Sequence, residues 1–358
     1  MSRKIQSRNL FVRNKSKSPR MRTYFIGLIA LIGLIYASIF LLPAVPNEPN
    51  FPGAPTYKIQ IKPQSSLASI SDQVYAQGIR SYPFFFQFSA RAIFVATKLK
   101  PGTYLLPTGA SVGKILLQIA RGDRVRESLA IIPGMTIWQL RGVIDSHPAL
   151  IHQTKGMNSK ALLQTLNLNY PGLEGVFLPD TYIFDPDDLD INIYRRASSA
   201  MQKTLNQEWG RRDPNLPLKS PYDLLILASI IEKETGKSED RGKVAAVFLN
   251  RLQKGMPLQT DPTVIYGIGP GFDGNLRKAD LRRDNPYNTY MNKGLPPTPI
   301  AMPSRESIYA ALHPLKSNAL YFVAKGDGSS HFSSTLSEHE NAVDRYQRKS
   351  PSKVNQQK

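Results

Sequence analysis

The stretch Ser220–Lys254, SPYDLLILASIIEKETGKSEDRGKVAAVFLNRLQK, predicts two consecutive helices. Ser220 suits an N-cap, and the proline that follows it suits the first helical turn. The second helix is expected over Glu239–Lys254, with Gly255 as its stop signal. Arg251, near its end, is expected to pack toward the first helix. The first helix carries its apolar arc at Leu224, Leu227, Ile230 and Ile231.

Two glutamates near the end of the first helix point in different directions. Glu232 and Glu234 are two residues apart, so they project to nearly opposite sides at about 100° per residue. Glu234 lies about 20° from Leu227 and therefore projects from the apolar arc. Burial raises the pKa of a carboxyl group, and a carboxyl near neutrality suits proton donation to a glycosidic oxygen. The alternative is that Glu234 only ends the helix and pairs with a nearby lysine or arginine.

Polar side chains cluster after the second helix. Gln259, Thr260 and Asp261 stand together before a proline, and Asn288 and Tyr290 follow in a segment rich in Tyr and Asn. Aromatic rings stack on the apolar faces of sugars, and amides bond their hydroxyls. The pattern therefore predicts sugar contacts. Because Asp-Pro also favours turns, Asp261 has a second interpretation as a turn residue.

The N-terminal region predicts a membrane anchor. Tyr24–Leu42 is 19 residues without a charge, enough to span about 30 Å of hydrocarbon as a helix. Eight Lys and Arg residues and no acidic residue precede it, which predicts a cytoplasmic N-terminus. A cleaved signal peptide is the alternative. The prolines that follow recur every third residue and predict an extended spacer that holds the folded body away from the bilayer: Pro43, Pro46, Pro49, Pro52 and Pro55.

Composition excludes several functions. The 358 residues contain no cysteine, which excludes disulfides, a thiol nucleophile and Cys-based zinc sites. The net charge of +19 resembles that of a nucleic-acid binder, but residues 1–22 and 345–358 carry 13 of the basic residues and no acidic one. About +6 remains for the folded part, so no nucleic-acid partner is predicted. No phosphate-binding loop or metal-ligand spacing is present, so no metal or cofactor is expected.

The remaining patterns predict an α+β fold. Strand and helix signals alternate over residues 57–125, as in a small α+β module. Ser159–Trp209 reads as helical, interrupted by an aromatic loop and strand at Gly172–Asp185. Met256–Ser334 is rich in Pro, Gly, Asn and Tyr and is expected to form loops and short strands, with Leu320–Ala324 the clearest strand.

Several motifs together resemble a known family, the YceG-like endolytic murein transglycosylases (MltG). The likeness covers about residues 24–346. The motifs are Leu173–Tyr182 (LEGVFLPDTY), Ala228–Thr235 (ASIIEKET), Lys243–Arg251 (KVAAVFLNR), Leu258–Gly267 (LQTDPTVIYG), Tyr287–Tyr290 (YNTY), Gly294–Pro297 (GLPP) and Tyr321–Ala324 (YFVA). Met302 stands where the family often has Asn, and the basic N-terminus is longer than usual.

The resemblance implies a single-pass inner-membrane protein with a LysM-like subdomain and a periplasmic catalytic domain. It implies cleavage within glycan strands between N-acetylmuramic acid and N-acetylglucosamine, which leaves 1,6-anhydro ends and limits strand length. The catalytic residue is the second Glu of the E-K-E-T motif, which is Glu234. The expected divisions are a basic cytoplasmic segment (1–22), a transmembrane helix (23–43), a proline-rich linker (44–56), the LysM-like subdomain (57–125), the catalytic domain (126–346) and a basic flexible tail (347–358).

Within this interpretation the other polar residues bind substrate. The candidates for holding the sugars are Gln259, Asp261, Asn288 and Tyr290. Glu232 is a further candidate, expected to support these residues from behind. Peptidoglycan and the membrane are the expected partners, and peptidoglycan synthases are candidate partners. Two alternatives remain at this stage, which are a hydrolytic muramidase and a non-catalytic, membrane-anchored glycan-binding scaffold.

Overall fold

The computed structural model describes residues 19–50 and 55–348, and the side chains from Met21 onward. The chain divides into two compact units, residues 1–126 and 127–358, and its fold is mixed α+β. The predicted basic segments fall largely on residues 1–18 and 349–358, outside the described residues. Residues 51–54 of the predicted linker are outside them as well.

The first unit pairs one long apolar helix with a small α+β module. Strands β1 and β2 run antiparallel, from the pair Thr56–Pro107 to the pair Ile61–Gly102. Ile59, Tyr104 and Leu116 are fully buried in the core of the module. The elements are α1 (Pro19–Leu41), β1 (Thr56–Ile61), α2 (Leu67–Ala76), α3 (Pro83–Ala92), β2 (Gly102–Pro107) and α4 (Val112–Arg121).

Helix α3 covers only the first part of an apolar segment that continues in the sequence to Leu99. It ends at Ala92 because Phe94 adopts a left-handed backbone with φ of 59°. The N–H of Val95 then bonds back to the carbonyl of Ala90 at 2.9 Å, a closure typical of helix C-termini. The chain therefore turns away from the helix axis after Ala92.

Helix α1 contains an apolar segment, Met21–Leu41, that is long enough to cross a membrane, with a mean hydropathy of 2.4. The predicted spacer does not begin directly after it. Ala44 and Val45 are buried, and both of their N–H groups donate to the carbonyl of Ala110, at 2.9 and 3.0 Å. The expectation that the proline-rich segment separates the body from the helix is therefore wrong at its start, because these two residues complete the core of the module.

The second unit is built around helices with three two-stranded sheets. β3 and β5 pair antiparallel, β4 and β6 parallel, and β7 and β8 antiparallel. The elements are β3 (Glu127–Ile131), α5 (Ile137–Asp145), β4 (Leu150–Ile151), α6 (Ser159–Thr165), β5 (Asp180–Phe184), β6 (Asp188–Leu189), α7 (Asp190–Trp209), α8 (Pro221–Glu234), α9 (Ser238–Gln253), α10 (Asp261–Ile268), α11 (Arg305–Leu312), β7 (Tyr321–Ala324), β8 (Ser330–Ser333) and α12 (Leu336–Val343).

Helix α8 lies at the centre of the second unit. Every residue from Leu224 to Ile231 is buried, so the helix is enclosed on all sides and not only along the predicted arc. Ser229 is buried, but its hydroxyl is fully hydrogen-bonded. It donates to the carbonyl of Ile226 and accepts from the N–H of Ile300. Helices α7, α9, α10 and α11 pack around α8, which fixes the position of its C-terminal residue, Glu234.

The segment after α9 contains more helix than predicted. Asp261 begins α10 with a proline in the first turn, so it is not a simple turn residue. Ser304 caps α11 by accepting a hydrogen bond from the N–H of Ser307. A proline in the first turn and a serine N-cap are both common at the start of a helix. The prediction of loops and short strands was wrong at these places because the Pro and Gly content outweighed these local signals.

Candidate active site

A cavity of about 560 Å³ opens at the C-terminal end of α8. It is lined by the end of α8, by α9 and α10, by the loop that precedes α11, and by β7 and α12. The polar and aromatic side chains that line it include those of Glu234, Arg251, Gln259, Asp261, Tyr290, Tyr321 and His339. Three of the predicted sugar-binding residues, Gln259, Asp261 and Tyr290, therefore share one cavity with Glu234.

The carboxyl of Glu234 lines this cavity together with that of Asp261. Burial raises the pKa of Glu234 from 4.5 to about 7, a hydrogen bond from Thr260 opposes this, and the negative charge of Asp261 adds to it. The predicted desolvation of this carboxyl is confirmed. Within the described residues Glu234 has no ion-pair partner, whereas Lys233 reaches the carbonyl of Gly134 and Arg241 faces Glu232. The alternative in which Glu234 pairs with a neighbouring cation does not fit this geometry.

Thr260 holds the carboxyl in place. Its hydroxyl donates to Oε1 of Glu234, and the residue is almost fully buried. The N–H of Thr260 donates to the hydroxyl of Thr289 at 3.1 Å, and that hydroxyl is 2.9 Å from the hydroxyl of Thr263. Thr260 lies between two predicted sugar-binding residues, Gln259 and Asp261, but it was not itself predicted to be a site residue. The contact depends on a pairing across 26 residues that no local pattern reveals.

Asp261 and Tyr290 form a second polar contact beside the acid. The Tyr290 hydroxyl donates to Oδ1 of Asp261 at 2.6 Å. Burial and the neighbouring Asp261 raise the pKa of Tyr290, so the phenol stays neutral and remains a donor. The structure thus places a negative charge, a phenol and the Glu234 carboxyl along one wall of the cavity.

Arg251 is a wall residue of the cavity. Its guanidinium donates to the carbonyls of Leu258 and Leu320, at 2.9 and 2.6 Å, and to Oε1 of Gln259 at 3.3 Å. The group also lies 5.1 Å from the ring centre of Tyr321. The prediction that Arg251 packs toward the first helix missed this role. Its contacts shape the loop in which Gln259 adopts a left-handed φ of 50°.

Two predicted residues do not line the cavity. Glu232 lies on the other side of α8, where it accepts hydrogen bonds from the N–H of Ser304 and the hydroxyl of Ser307 and so fixes the start of α11. Asn288 is fully buried, and its amide donates to the carbonyl of Arg283 at 2.8 Å. Its side-chain oxygen accepts from the N–H of Tyr290 at 3.0 Å. Both residues are therefore placed to support the site from behind.

Sequence reasoning did not single out a second buried carboxyl, Glu174. It accepts the N–H of Ile137 at the start of α5, at 3.0 and 3.1 Å, and burial raises the pKa of Glu174 to about 7. A separate cavity of about 360 Å³ includes Trp138 stacked on Tyr266, with ring centres 5.1 Å apart. The signal for Glu174 was its place in the LEGVFLPDTY motif.

The chemistry of the larger cavity is that of proton transfer. A carboxyl with a pKa near neutrality is able to give and to accept a proton at physiological pH. No group of three or more His, Cys, Asp or Glu suited to a metal occurs in residues 19–50 and 55–348. Aromatic rings, a guanidinium and an amide around one such acid are suited to polar, ring-shaped substrates such as glycans.

Residues 59–345 match the YceG-like family, and the chain therefore belongs to this family. The resemblance predicted from the motifs is confirmed. An endolytic murein transglycosylase of Bacillus subtilis is 38% identical over 248 residues, 67% of this chain and 68% of that protein. One from Streptococcus pneumoniae is 28% identical over 360 residues, 89% of this chain and 64% of that protein. A crystal structure of a yceG-like protein from Listeria monocytogenes aligns at 30% identity with a TM-score of 0.49, over 80% of this chain and 98% of that one.

Proposed function

We propose that this chain is an endolytic lytic transglycosylase that cleaves the glycan strands of peptidoglycan, with Glu234 as both acid and base. The observation that carries the proposal is the Glu234 carboxyl, whose pKa burial raises to about 7 inside a sugar-sized cavity. The predicted enzyme class agrees with the printed names of the curated relatives, which are endolytic murein transglycosylases.

In the first step Glu234 acts as the acid. The neutral carboxyl donates its proton to the oxygen that bridges N-acetylmuramic acid and N-acetylglucosamine, and the bond from that oxygen to C1 breaks. The 2-acetamido group of the muramic acid stabilises the positive charge at C1, so the enzyme does not need to supply a nucleophile. The departing strand leaves with the proton on its terminal hydroxyl.

In the second step the ionised Glu234 acts as the base. It takes the proton of the 6-hydroxyl of the same muramic acid, and that oxygen attacks C1 to close the 1,6-anhydro ring. The attack is intramolecular, so its high effective molarity favours it over water. The Thr260 hydroxyl stabilises the carboxylate between the two steps, because it donates to Oε1. The proton returns to Glu234, and no water is consumed.

The cavity also suggests how the strand is held. Gln259, Asp261 and Tyr290 line the cavity next to Glu234 and are proposed to bind the sugars. Asn288 and Glu232 are proposed as positioning residues, since Asn288 binds the backbone of Tyr290 and Glu232 binds the start of α11. The strand would thus meet one rigid wall, with the acid at its centre.

The first unit is proposed to anchor the enzyme and to bind glycan. The apolar segment Met21–Leu41 supports a single pass through the inner membrane, and the basic residues before it support a cytoplasmic N-terminus and a periplasmic catalytic unit. The size of the module and its strand–helix–helix–strand order support a LysM-like role. Contact with peptidoglycan synthases in the same membrane is a further part of this proposal.

The test is digestion of isolated cell-wall sacculi by the full chain in detergent, followed by mass analysis of the products. We expect anhydro ends from the natural chain and a loss of about 10²- to 10⁴-fold in rate for Glu234→Gln, the range for removal of a general acid. Glu239→Gln, an exposed carboxyl at the start of α9, is the matched control and should keep full activity. Reducing ends, one water heavier, would indicate a hydrolase, and full cellular function of Glu234→Gln would indicate a scaffold.

A further inference from the structure

Four aromatic rings are exposed on helix α3 and on the residues that flank it. Phe84 and Phe94 are 82% and 80% exposed, Tyr82 is 74% exposed, and Phe88 is 41% exposed. Phe84 and Phe88 are four residues apart and therefore share one side of the helix, while Phe86 fills the core from the other. We call Tyr82, Phe84, Phe88 and Phe94 the aromatic face. Exposed rings concentrated on one short helix and its flanking residues mark a surface that contacts something other than water.

The aromatic face is attached to the apolar helix α1. The Tyr36 hydroxyl donates to the carbonyl of Ala92, the last residue of α3, at 2.9 Å. Ala92 follows Phe88 by one helical turn, so the row of exposed rings leads directly to this bond. Ile39 of α1 is fully buried, and the Phe40 ring packs against Gly113 in α4. The module is thus fixed to the last two turns of α1.

The length of α1 sets the depth of this attachment. Its apolar segment of 21 residues is about 31 Å long, which matches a hydrocarbon thickness of about 30 Å and leaves no spare turn outside. Tyr36 lies about 7.5 Å before Leu41 along the helix axis. The end of α3 therefore sits near the boundary between headgroups and acyl chains, within the depth of about 5–10 Å that interfacial helices occupy.

The charge of the module fits the same surface. Residues 43–126 contain ten Lys and Arg against three Asp and Glu, a net charge of +7, whereas residues 127–344 have a net charge of −1. Arg91 and Lys98 are exposed on either side of Phe94 in the sequence. Aromatic rings beside cations are the composition of segments that bind anionic lipid headgroups.

We propose that the aromatic face inserts into the outer leaflet of the membrane that α1 spans, so that the module lies on the bilayer. This inference rests on the proposed membrane anchor. The occupant is lipid, because the face continues from the end of the spanning helix, carries apolar rings and is flanked by positive charge. Aromatic rings also stack on the apolar faces of sugars, but the continuity of this face with α1 and the positive charge beside it favour lipid over a glycan strand.

The absence of cysteine from the chain makes a direct test simple. Single cysteines at Phe84→Cys and Phe94→Cys, labelled with a polarity-sensitive fluorophore, are placed in the full chain in vesicles of phosphatidylethanolamine and phosphatidylglycerol. Leu28→Cys in α1 reports whether the helix is inserted. Tyr309→Cys is the matched control, because it replaces a 55% exposed aromatic residue of the second unit. Lipids with a spin label near the headgroup should quench positions 84 and 94 several-fold more than position 309.

Each outcome has a separate meaning. If deep spin-labelled lipids do not quench position 28, the anchor is wrong, and this proposal is wrong with it. If position 28 is quenched but positions 84 and 94 remain in water, the membrane contact of α3 is overturned and the anchor stands. Shielding of both positions without lipid quenching would point to a second copy of the chain and would also overturn the proposal. In support, Phe84→Ser/Phe88→Ser/Phe94→Ser should reduce quenching at a Tyr82→Cys label several-fold.

Discussion

The two units place their informative residues in opposite surroundings. In the first unit the unusual groups are apolar rings in contact with solvent, on a module with a net charge of +7. In the second unit they are carboxyls withdrawn from solvent, since burial raises the pKa of Glu234 and of Glu174 to about 7. Each arrangement is unfavourable in isolation. The first unit thus exposes apolar groups, whereas the second encloses titratable ones, and the two proposals above rest on these two departures from the usual arrangement.

The largest effect is expected from removal of the partner of the acid. Thr260→Val removes the hydrogen bond to Glu234 but keeps the shape of the side chain. The rate should fall about 10- to 100-fold, because a hydrogen bond to a charged group contributes about 1.5–3 kcal/mol. The same bond lowers the pKa of Glu234, so its loss should move the alkaline limb of the pH–rate profile to higher pH.

Thr260→Ser, which keeps the hydroxyl, is the control and should restore both the rate and the profile. Measured rates between pH 5 and 9 on one glycan substrate would give the result. A slow Thr260→Val variant with an unchanged pH profile would show that Thr260 supports only the fold. The second unit would then no longer differ from the first by a carboxyl whose pKa its neighbours control.

A second prediction concerns the stability cost of the buried acid. The pKa of Glu234 is about 7 in the folded chain, above its ordinary 4.5, so the fold favours the neutral form. That contribution is full below pH 4.5 and is lost as the pH rises through 7. Glu234→Gln should therefore raise the free energy of unfolding at pH 8 by about 1 to 3 kcal/mol, reduced from the full shift by solvent in the cavity.

Urea unfolding of the full chain in detergent, at pH 4.5 and pH 8, measures this difference. Glu174 contributes equally to both variants and cancels. Glu239→Gln should show no gain at either pH. An equal gain of Glu234→Gln at both pH values would mean that the carboxyl is not desolvated, which removes the basis for its catalytic role.

The smallest effect is expected in the first unit. Ser66 caps α2 through its side chain, at 3.2 Å from the N–H of Ser69. Ser66→Ala should cost about 1 kcal/mol locally. Hydrogen exchange should show about fivefold weaker amide protection in α2, unchanged protection in α8 and an unchanged rate of glycan cleavage. Equal loss of protection in α8 would show that the two units open together.

Much of the fold followed from local signals. Ser66 and Ser111, in the predicted α+β module, and Ser220, before the first predicted helix, each accept a hydrogen bond at the start of a helix. Gly122 ends α4 in the left-handed conformation. Helical periodicity placed Glu234 on the apolar arc, and the resemblance of the E-K-E-T motif then marked it as the catalytic candidate. These features depend on residues within one or two turns, so a single sequence contains the information.

The rest of the site depends on contacts that are distant in sequence. Thr260 acts through Glu234 and Thr289, and Arg251 reaches the carbonyl of Leu320 across 69 residues. Asn288 was predicted to bind sugar because an amide beside tyrosines suits a sugar ligand. The same amide is equally able to bond buried backbone groups, and a sequence pattern does not separate the two. Its position under Tyr290 was decided by packing that the sequence pattern does not show.

Gly113 has a mechanical consequence for the first unit. A Cβ atom at this position would lie 2.6 Å from the Phe40 ring, so only glycine permits α1 and α4 to touch there. One added carbon atom at Gly113 would push the Phe40 ring, and with it α1, away from α4. With glycine in place, α1 and α4 pack closely, so a tilt of α1 in the proposed membrane would be transmitted to the module. If α1 spans the membrane as proposed, the orientation of the module depends on the tilt of α1 in the bilayer.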